Sequence, residues 1–244
     1  MKTTQTFMKF VDNEETEEAD LYIYGDIVDF AWWEDEVSAT DIRNKLNNTN
    51  AKTINVHINS LGGDTFTGIA IYNLLREKSK TSTIVCYVDS IAASAASIIA
   101  MAGDKIIMPA NTLMMIHNCW TITVGNADDL RKTATDMDKV MEAVIQCYLS
   151  RVKISEEELK SLLDAETYLT ASEALEKGFC DEVLELNEKS NSVLSSLSKI
   201  IKDYKTQNKK TSKIVNETNI IISNKIDNQK NKNESVKETL FNLK

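Results

Sequence analysis

Ser94 stands among small residues, Ala92-Ala93-Ser94-Ala95-Ala96, and His117 ends the apolar run Leu113-Met114-Met115-Ile116. A serine hydroxyl is a poor nucleophile at neutral pH. It needs a base to take its proton, a group that orients the base, and donors for the oxyanion that forms on the attacked carbonyl. The chain has 2 histidines, His57 and His117, so candidates for an imidazole base are few. Upstream, Asn59-Ser60-Leu61-Gly62-Gly63 supplies a turn whose glycines leave backbone N–H groups free to meet an oxyanion. Together these residue types point to acyl transfer by a serine hydrolase.

Ser94 follows the β-branched run Ser82–Val88 by a short turn and is placed to open an Ala-rich helix over Ile91–Ala102, where the Ala95 N–H can point at an oxyanion. Larger neighbours than alanine would hold a substrate carbonyl away from the hydroxyl. The same string also suits a serine packed inside a tight helix, and it lacks the G-x-S-x-G pattern. Ser97, one turn further on, and Ser90, in the preceding turn, are weaker nucleophiles by position. His57 falls inside an apolar strand, where a neutral, hydrogen-bonded ring is the ordinary outcome, whereas His117 ends a strand and can emerge into a cleft. Asp164 and Glu166 are two carboxylates able to orient an imidazole, and both equally suit a helix end or the surface.

The elements that must position these groups alternate between strand and helix. Asp20–Gly25 alternates as a strand, and Ser38-x-x-Asp41 caps a helix running toward Leu46. Thr53–Ile58 is a second strand, and Ile69, Ile71, Tyr72, Leu74 and Leu75 give the segment after the glycines an apolar helical face. Lys105–Met108 and Thr112–Ile116 read as short strands around Pro109. Asn126 caps a long helix with an apolar stripe from Leu130 to Val152; Ser155-x-x-Glu158 and Thr170-x-x-Glu173 start two more, the last stopped by Gly178. Asp181–Leu186 is a closing strand. The pattern is α/β, built from repeated strand-turn-helix units.

The net charge of −9 over 244 residues argues against general nucleic-acid binding. From Glu188 onward 12 Lys face 6 acids, a net +6 that leaves −15 on the preceding residues. Residues 1–17 are read as an N-terminal arm, 18–187 as the catalytic domain, and 188–244 as a basic, Asn- and Lys-rich extension, mobile or weakly helical. The 4 cysteines, Cys86, Cys119, Cys147 and Cys180, form no CxxC pair and lie in apolar segments, which fits reduced thiols and a cytoplasmic setting. The longest apolar stretch, around Ile91–Ala102, is too short to span a bilayer, and the N-terminus carries no leader pattern, so the expectation is a soluble protein with no membrane partner. No Walker motif, metal-spacing cluster or dinucleotide fingerprint occurs, and neither metal nor cofactor is expected.

Several ordered motifs between about residues 18 and 187 resemble the Clp protease proteolytic subunit family, and most of all its phage branch, the ClpP-related head maturation (prohead) proteases. They are Ile58-Asn59-Ser60-Leu61-Gly62-Gly63 followed by Gly68-Ile69-Ala70-Ile71-Tyr72, Ala92–Ser97, Met114–Asn118 with Trp120-Thr121, Gly125-Asn126-Ala127, and Thr167–Ala174. Trp32-Trp33, the Ala-Ser-Ala-Ala string and Asp-Ala-Glu-Thr suggest the phage branch. The resemblance implies a crotonase-like β-β-α spiral with the helix after Asn126 as a handle by which rings pair. It implies Ser94 as nucleophile, His117 as general base and then acid, Glu166 as the third member with Asp164 as alternative, and oxyanion donors on Gly62, Gly63 and Ala95. Leu61 stands where the family commonly has Pro. The substrate would be an extended polypeptide added as a strand near Gly63.

Members of this family form rings that enclose the serine. The bacterial enzymes receive unfolded chains from an ATP-driven unfoldase, although nothing in the extension marks a docking element for one. Phage relatives cleave scaffold, portal or capsid precursors in the prohead, within the host cytoplasm. Other readings remain beside the serine endopeptidase: a catalytically silent ring that binds scaffold, and an acyl-coenzyme A enzyme on the related crotonase fold, which needs neither the serine nor the histidine.

Overall fold

Runs of β-branched and aliphatic residues separated by capped helices assemble into a mixed 8-stranded sheet with a 2-stranded sheet beside it. The computed structural model describes residues 8–13, 15–31 and 36–185; the extension read over 188–244 and the Trp32-Trp33 pair lie outside them. In chain order the elements are β1 (Met8–Asn13), β2 (Glu18–Tyr24), β3 (Asp26–Ile27), β4 (Glu36–Val37), α1 (Ala39–Asn47), β5 (Thr53–Ser60), α2 (Thr65–Lys78), β6 (Thr83–Ala93) and α3 (Ala95–Ala100). They continue with β7 (Lys105–Pro109), β8 (Leu113–Ile116), α4 (Ala127–Leu149), α5 (Glu156–Asp164), β9 (Thr167–Thr170), α6 (Ala171–Lys177) and β10 (Glu182–Leu184).

The sheet runs β1-β2-β5-β6-β7-β10, with β8 branching from β6 and carrying β9 on its far edge. β2, β5, β6 and β7 pair in parallel, while β1 is antiparallel to β2 and β9 antiparallel to β8. Parallel strands need crossovers that cover the sheet, which is why Ile54, Val56 and Ile58 of β5 and Ile84, Cys86 and Val88 of β6 are fully buried. Each helix cap read from the sequence is made by a side chain: Ser38 accepts from Asp41 N–H, Ser155 from Glu158 N–H, and Asn126 and Thr170 form reciprocal capping boxes with Asp129 and Glu173. Gly178 ends α6 at φ 84°.

One segment differs from expectation. The Ala-rich helix begins at Ala95, not Ile91, because Ile91, Ala92 and Ala93 continue β6 and pair in parallel with Leu113, Met114 and Met115 of β8. Ser90 therefore lies on a strand rather than in a turn. The stretch read as an arm contains β1, which forms an antiparallel hairpin with β2 by pairing Phe10 with Leu21.

His57 is a structural histidine. Its ring lies between Tyr22 and Tyr87, with centroids 4.7 and 5.0 Å away, and its Nδ1 is 3.0 Å from Asp89 Oδ2. Tyr24 donates its hydroxyl to the same oxygen at 2.5 Å, so burial and Asp89 both push that phenol's pKa up. Ser97 is equally committed: fully buried, it donates to Ser94 O at 2.6 Å and lies 2.7 Å from Tyr148 Oη.

Candidate active site

The site forms where parallel strands end together, the edge at which α/β sheets commonly open a crevice. Ala93 pairs with Met115, and the Ser94 N–H donates to Met115 O at 2.9 Å, so β6 delivers the serine and β8 delivers His117 to one place. His117 Nε2 is 2.7 Å from Ser94 Oγ, the distance required of a nucleophile and its base. Ser94 adopts φ 53°, ψ −124°, a backbone conformation that an L-residue rarely occupies, at the sharp passage from β6 into α3.

The glycine turn packs against this passage. A Cβ on Gly62 would lie 2.8 Å from Ser94 Cβ and 2.9 Å from Ala95 N; one on Gly63 would lie 2.1 Å from Ile27 O. Ile27 N–H donates to Gly62 O at 2.9 Å and Asp64 N–H to Ile27 O at 2.7 Å, which holds the turn on β3 without the ring of a proline at Leu61. Gly62 N–H is engaged by Ser60 Oγ at 3.0 Å, and Ser60 in turn donates to Gly25 O. Of the three expected donors, this leaves the N–H groups of Gly63 and Ala95 without a partner among the described residues.

The two carboxylates occupy different environments. The β8·β9 pairing ends with Ile116 facing Thr167; His117 and Glu166 are the next residue on each segment, Glu166 in the turn that joins α5 to β9. Glu166 itself has φ 49°. Asp164 Oδ1 instead accepts from Asn118 Nδ2 at 2.7 Å. Among the described residues no hydrogen bond joins His117 Nδ1 to either carboxylate. Sequence reasoning missed Ser60, Asn118 and Asp64, the last of which caps α2 by accepting from Thr67 N–H; the Asp64-x-x-Thr67 spacing was the available signal for that cap.

The family model described as Clp protease matches residues 35–187, which contain the serine, the histidine, both carboxylates and the glycine turn. The chain belongs to the Clp protease family. An ATP-dependent Clp protease proteolytic subunit of Deinococcus radiodurans is 29% identical over 135 residues, 54% of this chain and 65% of that protein. One of Bacteroides fragilis is 31% identical over the same length, 54% of this chain and 64% of its own. The chain thus spans just under two-thirds of the curated relatives it matches. Among solved structures, a ClpP1 mutant from Listeria monocytogenes aligns with a TM-score of 0.57 at 23% identity, covering 72% of this chain and 94% of its own. That likeness gives the fold: a ClpP-like α/β architecture with a mixed sheet and helices, as the sequence motifs implied. Among the described residues no helix is long and apolar enough to cross a membrane.

Proposed function

We propose that this Clp-family chain is a serine endopeptidase in which Ser94 attacks the peptide carbonyl, His117 takes its proton, and the N–H groups of Gly63 and Ala95 receive the oxyanion. The observation that carries the reading is the 2.7 Å contact between Ser94 Oγ and His117 Nε2. In the first half-reaction the Ser94 Oγ–carbonyl carbon bond forms, the C–N bond breaks, and His117 returns the proton to the leaving amine. Water, deprotonated by the same imidazole, then releases the acyl group. Hydrolysis of an unfolded protein undiminished in His117→Ala would contradict the assignment.

Glu166 is the orienting acid in this reading, supported by its position beside Thr167, the partner of the residue before His117, while Asp164 serves Asn118. Glu166→Gln should slow acylation by about a hundredfold or more and Asp164→Asn by only a few-fold, as read by single-turnover kinetics. The reverse order moves the role to Asp164.

The relatives named above support a general Clp-type proteolytic subunit, and the family to which the chain belongs supports its working as a ring. Trp120, Ile122 and Val124, exposed at 73, 84 and 96% between β8 and α4, give a protomer an apolar face to bury on assembly. The narrower role of processing capsid, portal or scaffold precursors rests on the Trp32-Trp33, Ala-Ser-Ala-Ala and Asp-Ala-Glu-Thr strings. Cleavage of a co-expressed precursor by the wild type but not by Ser94→Ala tests that role.

A further inference from the structure

A cleft of about 490 Å³ begins at Asn118 and Cys119, the two residues after His117, and runs between α4 and α5. Its apolar surface comes from Met137, Met141 and Ile145, which recur at helical spacing on one face of α4. Unbranched thioethers adapt to a long, flexible guest better than branched side chains do. Beside them stand three carboxylates, Asp138 and Glu142 on α4 and Asp164 on α5. The single cation in the lining, Lys160, lies 2.7 Å from Glu156 on its own helix and also feels the charge of Glu142, so the carboxylates of the lining outnumber its cation three to one. Asp164 receives one hydrogen bond, from Asn118.

An apolar floor with an acidic rim matches a side chain that carries a long aliphatic stem and a cationic tip. From this geometry we infer that the cleft seats the side chain of the residue preceding the scissile bond and selects Lys or Arg there. The inference rests on Ser94 being the nucleophile: an acyl group held on its Oγ lies beside His117, whose chain continues directly into the cleft wall. Asp138 and Glu142, four residues apart on α4, act as specificity determinants by attracting the tip, and neither belongs to the reacting groups. Both are exposed, so isosteric amides at these positions leave the packing of α4 unchanged.

The test uses two fluorogenic peptides identical except at the residue preceding the reporter, Lys in one and norleucine in the other, which has the same stem without the ammonium. With the full-length protein, kcat/KM for the Lys peptide should exceed that for norleucine by about tenfold, a ratio that shrinks as salt is raised. Asp138→Asn/Glu142→Gln should bring the ratio near one, chiefly by lowering kcat/KM for the Lys peptide, and Ser94 should still label with the fluorophosphonate. A wild-type ratio at or below one, or a ratio unmoved by the double substitution, overturns the inference while labelling still upholds the peptidase. Absence of labelling at Ser94 overturns both.

Discussion

Ser94→Ala should lower peptide hydrolysis by about ten-thousandfold or more while the protein stays folded. Removing Oγ deletes the atom that forms the acyl bond, and His117 is left 2.7 Å from where it stood with nothing to deprotonate. Alanine keeps the backbone at φ 53°, ψ −124°, so this variant retains the conformational cost of the wild type. Ser94→Gly should be equally inactive yet more stable, by about 1 kcal/mol, because glycine occupies that region without a Cβ clash. For a domain of this size the gain corresponds to a rise in Tm of roughly 2–4 °C. The pair of variants separates the chemical role of the hydroxyl from the strain stored to present it. A Gly variant no more stable than the Ala variant would show that the backbone at Ser94 is not strained.

Gly62→Ala carries the second large effect. The new methyl would lie 2.6 Å from Ala93 O, 2.8 Å from Ser94 Cβ and 2.9 Å from Ala95 N, and Gly62 itself has φ 99°. All three neighbours belong to the backbone or the Cβ of the nucleophile segment, so no flexible side-chain end can swing away. Relief requires Ser94 and the Ala95 N–H to move together, which spoils both the attack geometry and one oxyanion donor. The expected loss in kcat/KM is about 10²–10³-fold, with roughly 1–3 kcal/mol of stability. Activity within a few-fold of wild type would mean that the turn does not support the nucleophile. Gly68→Ala is the milder control, since its methyl would stand 3.0 Å from Ala95 Cβ.

What could be read from residues alone followed how local the cause was. Helix starts at Ser38, Asn126, Ser155 and Thr170 were legible because the cap and its partner lie three residues apart. The extension of β6 through Ala93 was not, because Ile91-Ala92-Ala93 has the composition of a helix and becomes strand by pairing with Ser60 of β5 and with β8, each more than twenty residues away. β1, β3 and β4 escaped for a similar reason, being too short or too weakly patterned to stand out before the sheet forms around them. At the site, residue types and motif order indicated Ser94 and His117, but their contact depends on the parallel pairing of β6 with β8. The engagement of Gly62 N–H by Ser60 and of Asp164 by Asn118 left no sequence trace, since each is a hydrogen bond fixed only once the strands and helices are in place.

The central claim is that Ser94 is a nucleophile activated by His117. Peptide-mapped labelling of the purified full-length protein with a fluorophosphonate tests it most directly, because the probe reports the activated hydroxyl without needing the natural substrate. The expected result is a single adduct on the peptide containing Ser94, lost in Ser94→Ala and strongly slowed in His117→Ala. Absence of an adduct on folded protein, or an adduct at another serine that persists in Ser94→Ala, would contradict the account.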